Sequence, residues 1–198
     1  MFAVGHIAMG YLIGQAFGRR LKVQINMPLL LAASVIPDID LFLRFLLHRG
    51  PTHSLITIIA FTVPFLMLYG KIAVPYSVAL ASHSLIGDYF TGGTQLFWPF
   101  SAEWYGALNI SVNSPANALL ELTFFFASIA VMFRKGDLRK IAKDKYKMAL
   151  LLPFLALIWP ILVMGRGSEY TLPPLLVIPS LFYLAIFSSS ILFGKLEK

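Results

Sequence analysis

The stretch MPLLLAASVIPDIDLFLRFLLHRGPTHS, Met27 to Ser54, decides how this chain is to be read. Its flanks are apolar enough for a membrane. Yet Asp38 and Asp40 stand behind Pro37 in mid-run, and His48 and His53 bracket Arg49-Gly50-Pro51-Thr52 at its end. A charged side chain at the centre of a bilayer costs about 2.5–3.5 kcal/mol or more, so such knots belong where they hold something. Imidazoles and carboxylates together are metal ligands.

The same chemistry recurs at two other places. Gly5-His6 opens the first apolar run, and Ser82-His83-Ser84 is followed by Asp88, so every histidine of the chain lies in a polar knot. With 58% hydrophobic residues, 13% charged residues and a mean hydropathy of +0.78 over 198 residues, the chain cannot fold as one water-soluble core. It reads as a single multi-pass domain of the cell membrane over residues 1–198. The absence of cysteine removes disulfides and thiolate sites. What remains suits zinc, with manganese, iron or magnesium as alternatives, better than copper(I). The stretch from Phe2 to Gly18 lacks a basic leader and holds His6, which predicts a retained helix instead of a cleaved signal.

A spanning helix needs about 20 apolar residues. Seven stretches approach that length: 2–18, 27–47, 53–70, 73–91, 115–133, 148–164 and 174–194. The expected fold is therefore an all-α membrane bundle of about seven helices. Lys and Arg set its orientation, since they collect on the cytoplasmic side. Placing 134–147 inside also brings Arg19, Arg20, Lys22, Lys71, Lys195 and Lys198 inside, thirteen of sixteen cations. Only Arg49 and Arg166 then fall outside, with Arg44 within a helix. The N-terminus is thus expected outside and the C-terminus in the cytoplasm. The net charge of +7 reads as a topology signal, not as nucleic-acid binding.

That topology brings the polar knots to one depth near the outer leaflet. Pro37 predicts a break, and on an extended segment Asp38 and Asp40 would share a face. Alternatively, Asp40 pairs with Arg44 and Asp38 caps a second half-helix. Gly50-Pro51 stops one helix, Thr52 can cap the next, and His48 and His53 then turn towards the site or stay in an interfacial turn. His6, Gly10, Gly14 and Gly18 recur every four residues, a stripe that admits a close neighbour and points His6 into the bundle.

Residues 92–114 hold aromatic residues and no basic ones, and read as an interfacial loop or lid. The sequon Asn109-Ile110-Ser111 falls there, though such triplets are common by chance. Beyond it, Glu121 lies about two turns below the outer surface, and its expected partners are the histidines. The inner halves of the helices carry few polar positions, which argues against a transport path, and 148–194 reads as accessory helices.

The order G-H, P-D-I-D, H-R-G-P-T-H-S, then S-H with a following D-x-x-T and W-P-F, resembles the YdjM family over about residues 1–125. The resemblance implies a multi-spanning membrane fold with a metal-dependent hydrolase site. It maps that site onto His6, Asp38, Asp40, His48, His53, His83 and Asp88, with Glu121 matching a later glutamate. One departure stands out: the family's last His and Asp are four apart, whereas His83 and Asp88 are five apart and share a face only if the helix loosens at Gly87.

On this reading His6, Asp38, Asp40, His53, His83 and Asp88 hold a divalent metal, and His48 or Glu121 serves as general base or acid. Arg49 either steadies a substrate phosphate or carboxylate or anchors the interface. The expected substrate is a membrane lipid or a lipid-linked ester, with no nucleic-acid partner and no oligomeric state indicated. Competing readings are a metal or proton transporter and a structural protein whose metal clamps helices.

Overall fold

The computed structural model describes residues 1–43, 45–108, 110–163 and 171–194; Arg44, Asn109, Arg166, Lys195 and Lys198 lie outside the described residues. Helices α1 (Ala3–Leu21), α2 (Met27–Ala33), α3 (Leu55–Tyr69), α4 (Val74–Ser82), α5 (Pro115–Lys135), α6 (Asp137–Lys143), α7 (Leu151–Val163) and α8 (Pro174–Phe193) make the fold. No strand occurs among the described residues.

Helix α1 is the hub, buried continuously from Ala3 to Tyr11 and packed against α2, α4 and α5. Gly10 allows a close approach, because a Cβ there would collide with the side chain of Ser34 at the end of α2. Helix α5 runs parallel to α1 and is bonded to it at both ends. Glu121 accepts from the amides of Phe2 and Gly5 at 2.8 and 2.9 Å, while Lys135 donates to Gln15 at 2.6 Å. The histidine knots and the basic segment 134–147 therefore sit at opposite ends of α1.

Leu55–Ile72, α5 and α8 are long and apolar enough to cross a membrane, and a fourth span arises if Asp137–Lys143 and Lys147–Val163, bent by 108°, count as one. Helix α3 turns Phe61, Phe65, Met67 and Leu68 outward. A continuous apolar face of that size belongs in lipid, not water.

The stretches 27–47 and 73–91 are not single long helices. Helix α2 stops at Ala33, and a 3₁₀ turn, Ile36–Phe42, follows with Pro37 in its first turn. Proline cannot donate the amide that a continuing helix needs. Helix α4 gives way after nine residues to a π turn, His83–Asp88. The basic segment expected as a loop contains α6, which buries Asp137 and Ile141. The C-terminal half of α1, expected as its inner half, is also less apolar than expected: Tyr11 and Gln15 are buried there, each on Asp137 Oδ2, at 2.8 and 2.7 Å.

Candidate metal centre

The centre is assembled from breaks in helices. Between His83 and Asp88 the chain winds as a π turn, in which residues five apart share a face. The five-residue step that separates them in an α-helix thus brings His83 Nε2 to 3.4 Å from Asp88 Oδ2. Gly87 makes this possible, since a Cβ there would lie 2.6 Å from Cε1 of His6. The His6 ring stacks on His83, with centroids 3.6 Å apart and planes 12° apart.

Two further breaks deliver the other donors. The 3₁₀ turn after α2 carries Asp38, and the turn Pro51–His53 before α3 carries His53. His53 Nε2 stands 3.1 Å from His83 Nε2, 3.3 Å from Asp88 Oδ2 and 3.7 Å from Asp38 Oδ1. His83 Nε2 is 3.3 Å from Asp38 Oδ1. Four ligands on a tetrahedral zinc at about 2.0–2.1 Å stand about 3.3–3.4 Å from one another. The five separations involving the two imidazoles bracket that value.

The protons leave no donor at the centre. His83 Nδ1 lies 2.7 Å from the Ser34 carbonyl and must carry the hydrogen. His53 Nδ1 lies 2.9 Å from Thr52 Oγ1 and 3.2 Å from Asp40 Oδ2, while the Thr52 hydroxyl donates to Asp40 at 2.7 Å. In the neutral rings both Nε2 atoms are therefore lone pairs. Asp88 Oδ2 is buried with no hydrogen-bond partner. The two nitrogens face each other, with Asp38 Oδ1 on one side and Asp88 Oδ2 on the other, and in the neutral rings a cation is what satisfies these acceptors. The donor set fits a divalent ion of the zinc, manganese or iron kind.

Asp40 takes a different place from the ligand position its spacing suggested. It lies on the far nitrogen of His53 and also receives His48 Nδ1 at 2.9 Å and the Arg49 amide at 3.2 Å. This carboxylate–histidine arrangement fixes a ligand's tautomer and ring orientation. Thr52 serves the same network, and the cap of α3 is Ser54, which accepts from Thr57. His48 is half-buried at the rim, edge-on to His53.

Arg49 is buried and faces inward. Its backbone is left-handed, with φ +62°, a conformation that costs a non-glycine residue about 1–3 kcal/mol. There its guanidinium reaches Asp88 Oδ1 at 2.9 Å and the Thr91 carbonyl at 2.6 Å. Both terminal nitrogens are thus engaged, because a carboxylate at this depth needs a counter-charge. The Met1 ammonium also donates to Asp88 Oδ1, at 2.8 Å. His6 Nε2 is 3.3 Å from the same oxygen, yet neither nitrogen of His6 makes a hydrogen bond.

Glu121 lies apart from this cluster. Besides the amides of Phe2 and Gly5 it accepts from Asn117 at 2.7 Å, so it caps α1 and meets no histidine. Glutamate is a good N-terminal partner because the first amides of a helix have no acceptor of their own. Ser34 has no signal in the sequence, Thr52 was expected as a helix cap, and Thr91 stood only as the last residue of the D-x-x-T motif. A carbonyl or hydroxyl contact leaves no mark in spacing, although Ser34 and Thr52 do flank the breaks.

The loop 92–114 packs on the histidine end of the molecule. The Gln95 amide donates to the Arg49 carbonyl at 2.9 Å, the Leu55 amide to the Leu96 carbonyl at 2.8 Å, and Thr94 pairs with Tyr105. Phe97, Trp98, Phe100 and Trp104 remain exposed.

The family model described as YdjM inner membrane protein matches residues 1–168. No curated protein and no solved structure matches the chain.

Proposed function

The chain belongs to the YdjM inner membrane protein family, and from its site we propose a membrane-embedded metal-dependent hydrolase that holds its ion between Asp38, His53, His83 and Asp88. The observation that carries this reading is that the Nε2 atoms of His53 and His83 lie 3.1 Å apart and each lies 3.3–3.7 Å from a carboxylate oxygen of both Asp38 and Asp88. A divalent ion there, zinc before manganese, iron or magnesium, would supply Lewis-acid polarisation and an acidified water.

The remaining residues have defined work. Asp40 and the Ser34 carbonyl hold His53 and His83 in the ligating tautomer. Arg49 keeps Asp88 ionised and aimed. His48, at the rim and bonded to Asp40, relays a proton between the site and the outside. His6, stacked on His83 with unpartnered nitrogens, is placed to complete a larger coordination shell.

Topology supports the substrate class. With the basic end of α1 and α5 in the cytoplasm, following the seven-stretch reading, the N-terminus and the metal centre lie near the extracytoplasmic leaflet under an aromatic loop. A lipid or lipid-linked phosphoester or ester is the substrate that reaches such a site. An apolar tier of α1, Ile7 to Gly10, separates His6 from the buried Tyr11, which favours a one-sided site over a transport path.

A second reading, a helix-clamping metal, is favoured by the number of protein donors around the two imidazoles, since an ion whose ligands all come from protein is the mark of a structural site. One experiment separates the two. Purified protein loaded with zinc or manganese is offered phospholipids, isoprenoid phosphates and acyl lipids. The hydrolase reading expects turnover that Asp38→Asn abolishes. Absence of turnover across the panel, or turnover indifferent to Asp38→Asn, overturns it.

A further inference from the structure

At the end of α1 remote from the histidines lies a cleft of about 580 Å³ lined by Gln15, Arg19, Val23, Ile25, Lys135 and Lys140. Arg19 is 13 residues beyond His6, about 20 Å along the helix axis, so this cleft is separate from the metal centre.

Its cations come from three helices. Arg19 ends α1, Lys135 ends α5 and Lys140 lies in α6. Among the described residues, only Lys140 of the three pairs with a carboxylate, Asp137 at 2.7 Å. Lys135 bonds the neutral Gln15 Oε1. Asp137 is itself buried and held by Tyr11 and Gln15, so positive charge is left in excess at the mouth.

Basic residues at a membrane boundary are by themselves a topology signal. Here they converge on one concave volume of ligand size, over a buried floor whose side chains are fixed by mutual hydrogen bonds. Val23, Ile25 and Met27 add apolar side chains to the same lining, beside the polar Gln24. A lining that combines cations with apolar side chains matches an amphiphile better than a free anion.

We infer that this cleft binds the phosphate of an anionic phospholipid from the leaflet that the basic end of the molecule faces. Arg19 and Lys135 meet the phosphate, Arg19 by its planar fork, and the glycerol end lies along Val23 and Ile25. A soluble phosphate shares the headgroup chemistry but leaves the apolar side chains unused. The inference is independent of hydrolysis at the metal centre.

The test uses the full chain in detergent, with phosphatidylglycerol, phosphatidylcholine of the same acyl chains, and inorganic phosphate as probes, and binding read by native mass spectrometry. Phosphatidylglycerol is expected to bind preferentially. Removing one cation should weaken it about fivefold, and Arg19→Gln with Lys135→Gln about 25-fold. Arg20→Gln with Lys145→Gln, which removes equal charge outside the cleft, should leave binding within about twofold. Equal loss in that control, equal binding of phosphatidylcholine, or displacement of the lipid by equimolar inorganic phosphate would each overturn the inference. If the double variant fails to give a monodisperse, cooperatively melting protein, Arg19→Gln alone decides, because its side chain is exposed.

Discussion

His53 and His83 point bare nitrogens at each other: their Nε2 atoms are 3.1 Å apart, while each Nδ1 is committed elsewhere, to Asp40 or Thr52 and to the Ser34 carbonyl. The pair is bistable only in composition. It holds a cation between the rings, or one ring becomes an imidazolium.

The first expectation is a bound metal. Elemental analysis of protein purified without chelator should find about one divalent ion per chain, and Asp38→Asn or His83→Ala should reduce it to background. Metal-free wild-type protein with normal folding would defeat the site.

Chelation should lower stability. An ion present at about 1,000 times its dissociation constant contributes about 4 kcal/mol to the folded state. Thermal melting in detergent, with and without a strong chelator, reads this directly. Asp38→Asn should melt at one temperature in both conditions.

Asp40→Asn tests orientation as distinct from ligation. Its carboxylate touches the back of His53, so metal affinity should fall about 10–100-fold without vanishing. A competition titration against a chromophoric chelator measures the change. Loss as complete as that in His83→Ala would make Asp40 a ligand.

Glu121→Ala should destabilise the fold and spare the metal. It strands the amides of Phe2 and Gly5, at about 1–3 kcal/mol for each group left unsatisfied. Metal content per folded chain should stay at the wild-type level. A drop in metal content without a drop in melting temperature would return Glu121 to the site.

Sidedness is open to labelling because the chain has no cysteine. Single cysteines at Phe100 and Lys145, both exposed, should react from opposite faces of intact membranes, Phe100 from the outside. Labelling from one face would contradict the orientation.

The sequence by itself determined the solvent and the chemistry. Mean hydropathy forces a membrane, and four histidines with Asp38 and Asp40 in apolar sequence announce a metal-type donor set, because desolvating them without a partner is too costly to keep. It also marked the break at Pro37, since proline's missing amide acts locally. Only the tertiary structure decided which atoms meet. Helical spacing made Asp88 the doubtful ligand until the π turn rotated it onto His83, a change one residue wide that hydropathy does not register. The same holds for Asp40, which passes behind His53, for Arg49, which turns inward to Asp88, and for Glu121, which finds the end of α1. The carboxylates were legible as charges in need of a partner, while Arg49 was expected to hold a substrate or anchor the interface. The partner was set by packing across residues far apart in the chain, and no local pattern encodes that choice.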